Sequence, residues 1–184
     1  MKIKDKALTT GALIFLLSSL AQASDGTMAI VGKITDNTCA VLGASEENGT
    51  PSPNLTLTMH RDVSTAAIPN SGNWGENYKY FDIHFSCSSG MVGRNIQIKF
   101  SANEYDTYTL LNTDKTGPSN IGFQIRNLHT YGLENFNSST PATTYPVLDQ
   151  DFLLRYEVAY TKLNNDPIIA GPILSTVYYD VTYL

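Results

Sequence analysis

Apolar residues in this chain recur at every second position, in short runs separated by turn-forming residues. In "YKYFDIHFSC" (78–87) Phe81, Ile83 and Phe85 alternate with Asp82 and His84, and "NIQIKF" (95–100) alternates at Ile96, Ile98 and Phe100. "DTYTLL" (106–111), "NIGFQI" (120–125), "FLLRYEVAY" (152–160) and "STVYYDVTYL" (175–184) follow. Successive side chains of a strand point to opposite faces, so a period of two builds a sheet with one apolar face. Pieces such as "ENGTPSPN" (47–54), "PNSGNWGEN" (69–77) and "NTDKTGPSN" (112–120) supply the turns. No segment carries a helical period. The pattern predicts an all-β sandwich in one domain.

The first 23 residues have the form of a secretory leader. Lys2, Lys4 and Lys6 precede the apolar run Ala12–Leu20, and Ala21-Gln22-Ala23 is a small-x-small cleavage signal. The run is shorter than a membrane span needs. Without residues 1–23 the chain loses Lys2, Lys4, Lys6 and Asp5. It keeps 9 basic and 16 acidic residues, and its formal charge moves from -5 to -7. An acidic surface disfavours nucleic acid and anionic membranes as partners. Export also sets the redox state: Cys39 and Cys87, 48 positions apart, are expected to form a disulfide. The chain-entropy model gives such a loop about 4 kcal/mol.

Both ends of the expected sandwich are unusual. Residues 26–41, "GTMAIVGKITDNTCAV", open with a strand before the first cysteine, with Met28, Ile30, Gly32 and Ile34 on one face. At the other end Tyr179, Val181 and Tyr183 alternate up to Leu184. An apolar edge strand is a liability unless something covers it. The front strand can fold back into its own sheet. It can instead fill the edge of another copy by β-strand addition. A head-to-tail contact of that kind, if it does not close, makes a fibre.

These residues resemble the subunits of chaperone–usher fimbriae, the type 1 pilin family of Gram-negative bacteria. "SDGTMAIVGKITDNTCAV" (24–41) is similar to the start of the short minor, or adaptor, pilins. "YFDIHFSC" (80–87), "SNIGFQI" (119–125) and "FLLRYEVAYT" (152–161) resemble three further family segments. At the C terminus Tyr183 is penultimate and Gly171 is the fourteenth residue from the end, as in the family. The resemblance implies an incomplete immunoglobulin-like sandwich lacking its last strand, completed by donor-strand complementation. It implies a secretory signal peptide at 1–23, a donor extension at 24–36 and a pilin domain at 37–184. Met28, Ile30, Gly32 and Ile34 would enter a neighbour's groove, with Gly32 where little room exists for a side chain. Gly171, Val177, Tyr179, Val181, Tyr183 and Leu184 would form the acceptor groove and chaperone-binding edge, the Leu184 carboxylate being the chaperone's anchor. The Cys39–Cys87 bridge would tie the first sheet strand to its neighbour. Partners would be a periplasmic pilus chaperone, an outer-membrane usher and neighbouring subunits, at the cell surface in a fimbrium, with no cofactor.

Catalytic and metal sites are not supported. "MHRDVS" (59–64) carries the His-Arg-Asp of a kinase catalytic loop, but Ala67 stands where its Asn belongs. His60, His84 and His129 lack metal spacing, and His84 falls on the polar side of its strand. Asp106, Asp114, Asp149 and Asp151 face no evident nucleophile. Trp74, the only Trp, lies in a Gly/Asn loop, where it either plugs an end of the sandwich or stacks on a sugar. With Tyr78, Tyr80 and Tyr131 it carries the alternative reading, a carbohydrate-binding protein of the fimbria or periplasm.

Overall fold

A computed structural model describes residues 26–33, 39–60 and 63–184. The expected leader at 1–23, Ile34, and Arg61 and Asp62 of the His-Arg-Asp triplet lie outside the described residues. Among the described residues eleven strands build two sheets. They are β1 (Gly26–Lys33), β2 (Cys39–Glu46), β3 (Asn54–Thr58), β4 (Tyr78–Cys87), β5 (Asn95–Ser101), β6 (Tyr105–Asp106), β7 (Thr109–Leu111), β8 (Ile121–Asn127), β9 (Thr143–Pro146), β10 (Asp151–Lys162) and β11 (Ile173–Tyr183). Two three-residue 3₁₀ turns, at 65–67 and 89–91, are the helical pieces among the described residues.

One sheet has the order β2-β4-β10-β8-β7-β6 and the other β3-β1-β11-β5-β9. In an immunoglobulin sandwich strands A, B, E and D form one sheet and C, F and G the other. Here β2, β4, β10 and β8 stand as A, B, E and D, while β5 and β11 stand as C and F. The place of G beside β11 is taken by β1. The expected all-β sandwich is thus the fold, and its seventh position is filled from the front of the chain.

The alternation sets the core. Phe81, Ile83 and Phe85 of β4, Ile96, Ile98 and Phe100 of β5, and Tyr156, Val158 and Tyr160 of β10 are buried between the sheets. Phe81 stacks on Tyr156 at 5.3 Å, and Phe100 meets Tyr156 edge-on at 5.0 Å, both favoured aromatic geometries. The sulfurs of Cys39 and Cys87 are bonded, joining the start of β2 to the end of β4 as expected.

The expected run 106–111 is two short strands of a hairpin, β6 and β7, because Tyr105 and Asp106 turn back onto Thr109 and Leu110. Asp82 falls on the outer face of its sheet as its period requires, yet it is fully buried. Arg155 covers it, donating from Nε and Nη2 at 2.8 and 2.9 Å. His84, on the same face, is half-buried and hydrogen-bonded to Ser45 at 2.8 Å.

Candidate assembly site: the groove beside the last strand

The two ends of the sandwich are chemically distinct. At one end lie the start of β1, the end of β10 and the start of β11, since Gly26 pairs with Ile173 and the loop 163–172 joins Lys162 to Ile173. At the other end lie the start of β2, the start of β10 and the end of β11. Cys39 and Asp151 flank the end of β4, and the Tyr183 hydroxyl donates to the Cys39 carbonyl at 2.9 Å. We call these the open end and the disulfide end.

β1 runs between β3 and β11, antiparallel to the first and parallel to the second. Its register sets Met28 opposite Ser175, Ile30 opposite Val177 and Gly32 opposite Tyr179. Met28 and Ile30 are fully buried, while Thr27, Ala29 and Val31 are only partly so. Burying each of the two large side chains is worth roughly 1.5–3 kcal/mol. Gly32 passes directly over the ring of Tyr179, where a Cβ would overlap the ring. Gly26 meets the phenol of Tyr160 in the same way.

The edge expected to be bare is therefore covered within this chain, over Ile173–Asp180, by the chain's own β1. Val177, Tyr179 and Val181, expected to line the groove, are buried, the first two opposite Ile30 and Gly32. Burial pushes the Tyr179 phenol up to about 12. Tyr183 is half-buried and paired with Ile96 of β5, and Leu184 is 54% exposed. Gly171 precedes β11 and packs against Gly117 and Pro118. Leu57, Met59 and Ile173, which the sequence reading did not single out, belong to the same buried core as Met28 and Ile30. Leu57 pairs with Met28, and the Met59 amide donates to the Gly26 carbonyl at 2.7 Å.

The parallel direction follows from chain length. Lys33 is six residues before Cys39, so the link between them reaches at most about 20 Å. The eleven residues of β11 extend about 36 Å. An antiparallel β1 in its own groove would leave Lys33 at the open end, too far from Cys39. Within one chain only the parallel seating connects.

A family model described as "Fimbrial protein" matches residues 28–184. The chain belongs to the fimbrial protein family. The matched span runs from the second buried position of β1 to the last residue of the chain. The F17 fimbrial protein of Escherichia coli is 28% identical over 181 residues, spanning 94% of this chain and 95% of that protein. Among solved structures, the P pilus rod subunit PapA is similar at a TM-score of 0.47 and 13% identity, over 67% of this chain and 98% of that one. This fimbrial protein is a structural subunit.

Among the described residues no three His, Cys, Asp or Glu side chains are grouped to hold a metal. Trp74 is half-buried with the Arg126 guanidinium 4.3 Å over its ring, and Arg126 is held by Glu157 through a 2.7 Å hydrogen bond. One face of the indole is thus occupied by protein. Tyr131 is 72% exposed on a separate loop and does not join the pair Tyr78–Tyr80.

Proposed function

We propose that this chain is a non-catalytic subunit, minor or adaptor in type, of an adhesive fimbria, and that it polymerises by lending its 24–36 extension to the groove of a neighbour. A periplasmic chaperone would hold the groove first, and an outer-membrane usher would exchange the chaperone's strand for a subunit's. The observation that supports this is the occupant of the seventh-strand position. It is the most N-terminal described segment, joined to the sandwich by a short link, and it enters as a preformed apolar stripe.

The connection geometry favours reversal of the strand on exchange. A donor seated parallel in a neighbour's groove would leave at the acceptor's disulfide end. The acceptor's own extension also departs from that end, and two junctions would crowd one surface. An antiparallel donor leaves at the acceptor's open end and brings the donor's disulfide end there, which repeats head to tail without closing. Parallel pairing is also slightly less stable per residue than antiparallel pairing. The seating within one chain is then a monomer that can be opened.

The intact mature chain can close on itself and need not aggregate when alone. Three forms separate the possibilities: the mature chain, the chain lacking 24–36, and that truncated chain with its 24–36 segment appended after Leu184. The truncated chain should aggregate unless a chaperone or a 24–36 peptide is added, and the appended form should be a stable monomer. A truncated chain that stays monomeric and cooperatively folded by itself would rule the reading out.

A further inference from the structure

The two ends of the sandwich carry matching apolar features. At the open end, Ile169 stands out from the loop 163–172 with 78% of its surface exposed, while Ile168 before it is half-buried and anchors the loop. The Asn120 amide braces that loop on the Asp166 carbonyl at 3.1 Å. At the disulfide end a pocket of about 180 Å³ is lined by His129, Tyr145, Pro146, Leu148 and the start of β10, Phe152 to Leu154. Leu148 and Leu153 are 74% and 42% exposed. β10 from Leu154 to Lys162 alone puts about 26 Å between the two features, so no single copy brings them together. An exposed apolar side chain and an apolar pocket at opposite ends of one chain make a contact that repeats from copy to copy.

We propose that Ile169 of each subunit seats in the Leu148–Leu153 pocket of the next, a second contact between copies beyond the shared strand. This rests on the antiparallel exchange proposed above, and the occupant follows from it. The donor strand leaves the acceptor at the open end, beside Ile173 and the Ile169 loop. Its link to Cys39 reaches at most about 20 Å. The donor's disulfide end, which carries the pocket, is therefore held against the acceptor's Ile169. A contact so tethered forms at high effective concentration, so one apolar side chain suffices to fix the angle between subunits.

The experiment is trans-cross-linking in polymers grown from concentrated mature chain. Ile169→Cys combined with Leu148→Cys, or with Leu153→Cys, should give a ladder of disulfide-linked multimers under oxidation, and each single variant should give none. Ile169→Glu, on an exposed loop, should leave the monomer's circular dichroism unchanged and shorten polymer lifetime roughly tenfold or more. Polymers that form normally but yield no ladder from either pair, with Ile169→Glu lifetimes at wild type, would overturn the contact and leave strand exchange standing. Absence of polymers, together with a folded chain lacking 24–36, would overturn strand exchange and the contact with it.

Discussion

Gly32 and Tyr179 face each other in the parallel register of β1 and β11, and the Tyr179 ring fills the space a side chain at 32 would need. The phenol gains its burial from the absent side chain, and β1 can approach β11 only because nothing projects there. Gly32→Ala should therefore cost on the order of 1–3 kcal/mol, the usual range for overpacking a filled site. Denaturant unfolding of the self-closed monomer measures it. Tyr179→Val should make Gly32→Ala nearly neutral in a double-mutant cycle. An undiminished cost in that background would place the strain elsewhere.

Ile30 and Ala29 are neighbours with opposite fates, one fully buried and the other partly exposed. Ile30→Ala should destabilise the monomer by about 2–5 kcal/mol through lost burial and a residual cavity. Ala29→Ser should change it by less than about 0.5 kcal/mol, as for an ordinary surface substitution. Equal effects would mean that β1 is not seated in the register described.

Glu134 is buried where the two sheets meet, accepting from Asn127 at 3.2 Å, and Asn127 also donates to the Tyr145 hydroxyl. Tyr145 and Tyr156 share a hydrogen bond at 2.8 Å. Loss of solvent pushes the Glu134 carboxyl up from 4.5 to about 7, against the opposing pull of Asn127 and Lys99. The folded state then binds the proton more tightly than the unfolded chain. This contribution is complete below pH 4.5 and is lost as pH rises through 7. The loss is about 3 kcal/mol between those limits. Glu134→Gln should flatten the corresponding slope in a stability–pH profile. An unchanged slope would assign the pH dependence to other groups.

Asp82 is fully buried, and its two oxygens are bound by Arg155, which also reaches Glu47 at 3.0 Å. Removing only the cation leaves a buried carboxylate without its partner. Arg155→Leu should cost about 3–5 kcal/mol. Arg155→Leu with Asp82→Leu should recover most of that loss. Chemical denaturation of the three variants decides it, and a double variant as unstable as Arg155→Leu would refute the pairing argument.

Much of this was legible along the chain. β4 runs over the same residues, 78–87, that alternation marked, and the Cys39–Cys87 bridge is the one that expected export and the presence of only two cysteines point to. β3 and β9 were not read. Asn54–Thr58 has only two apolar residues behind a Pro-rich turn, and Thr143–Pro146 is four residues ending in Pro. Too few side chains lie there for a period to show, and each is a strand only because a neighbour pairs with it. The Glu134–Asn127–Tyr145–Tyr156 cluster was equally hidden, since it joins residues from distant segments that carry no shared local pattern.

The sequence alone determined that the chain is β, where its apolar faces lie, and that its first strand has Met28 and Ile30 to bury. Periodicity is a local property, and each strand carries its own. Only the tertiary structure decided where that first strand goes and which way it runs. Direction depends on the length of the link from Lys33 to Cys39 set against the length of β11. That comparison exists only once both ends of the sandwich have been placed in space.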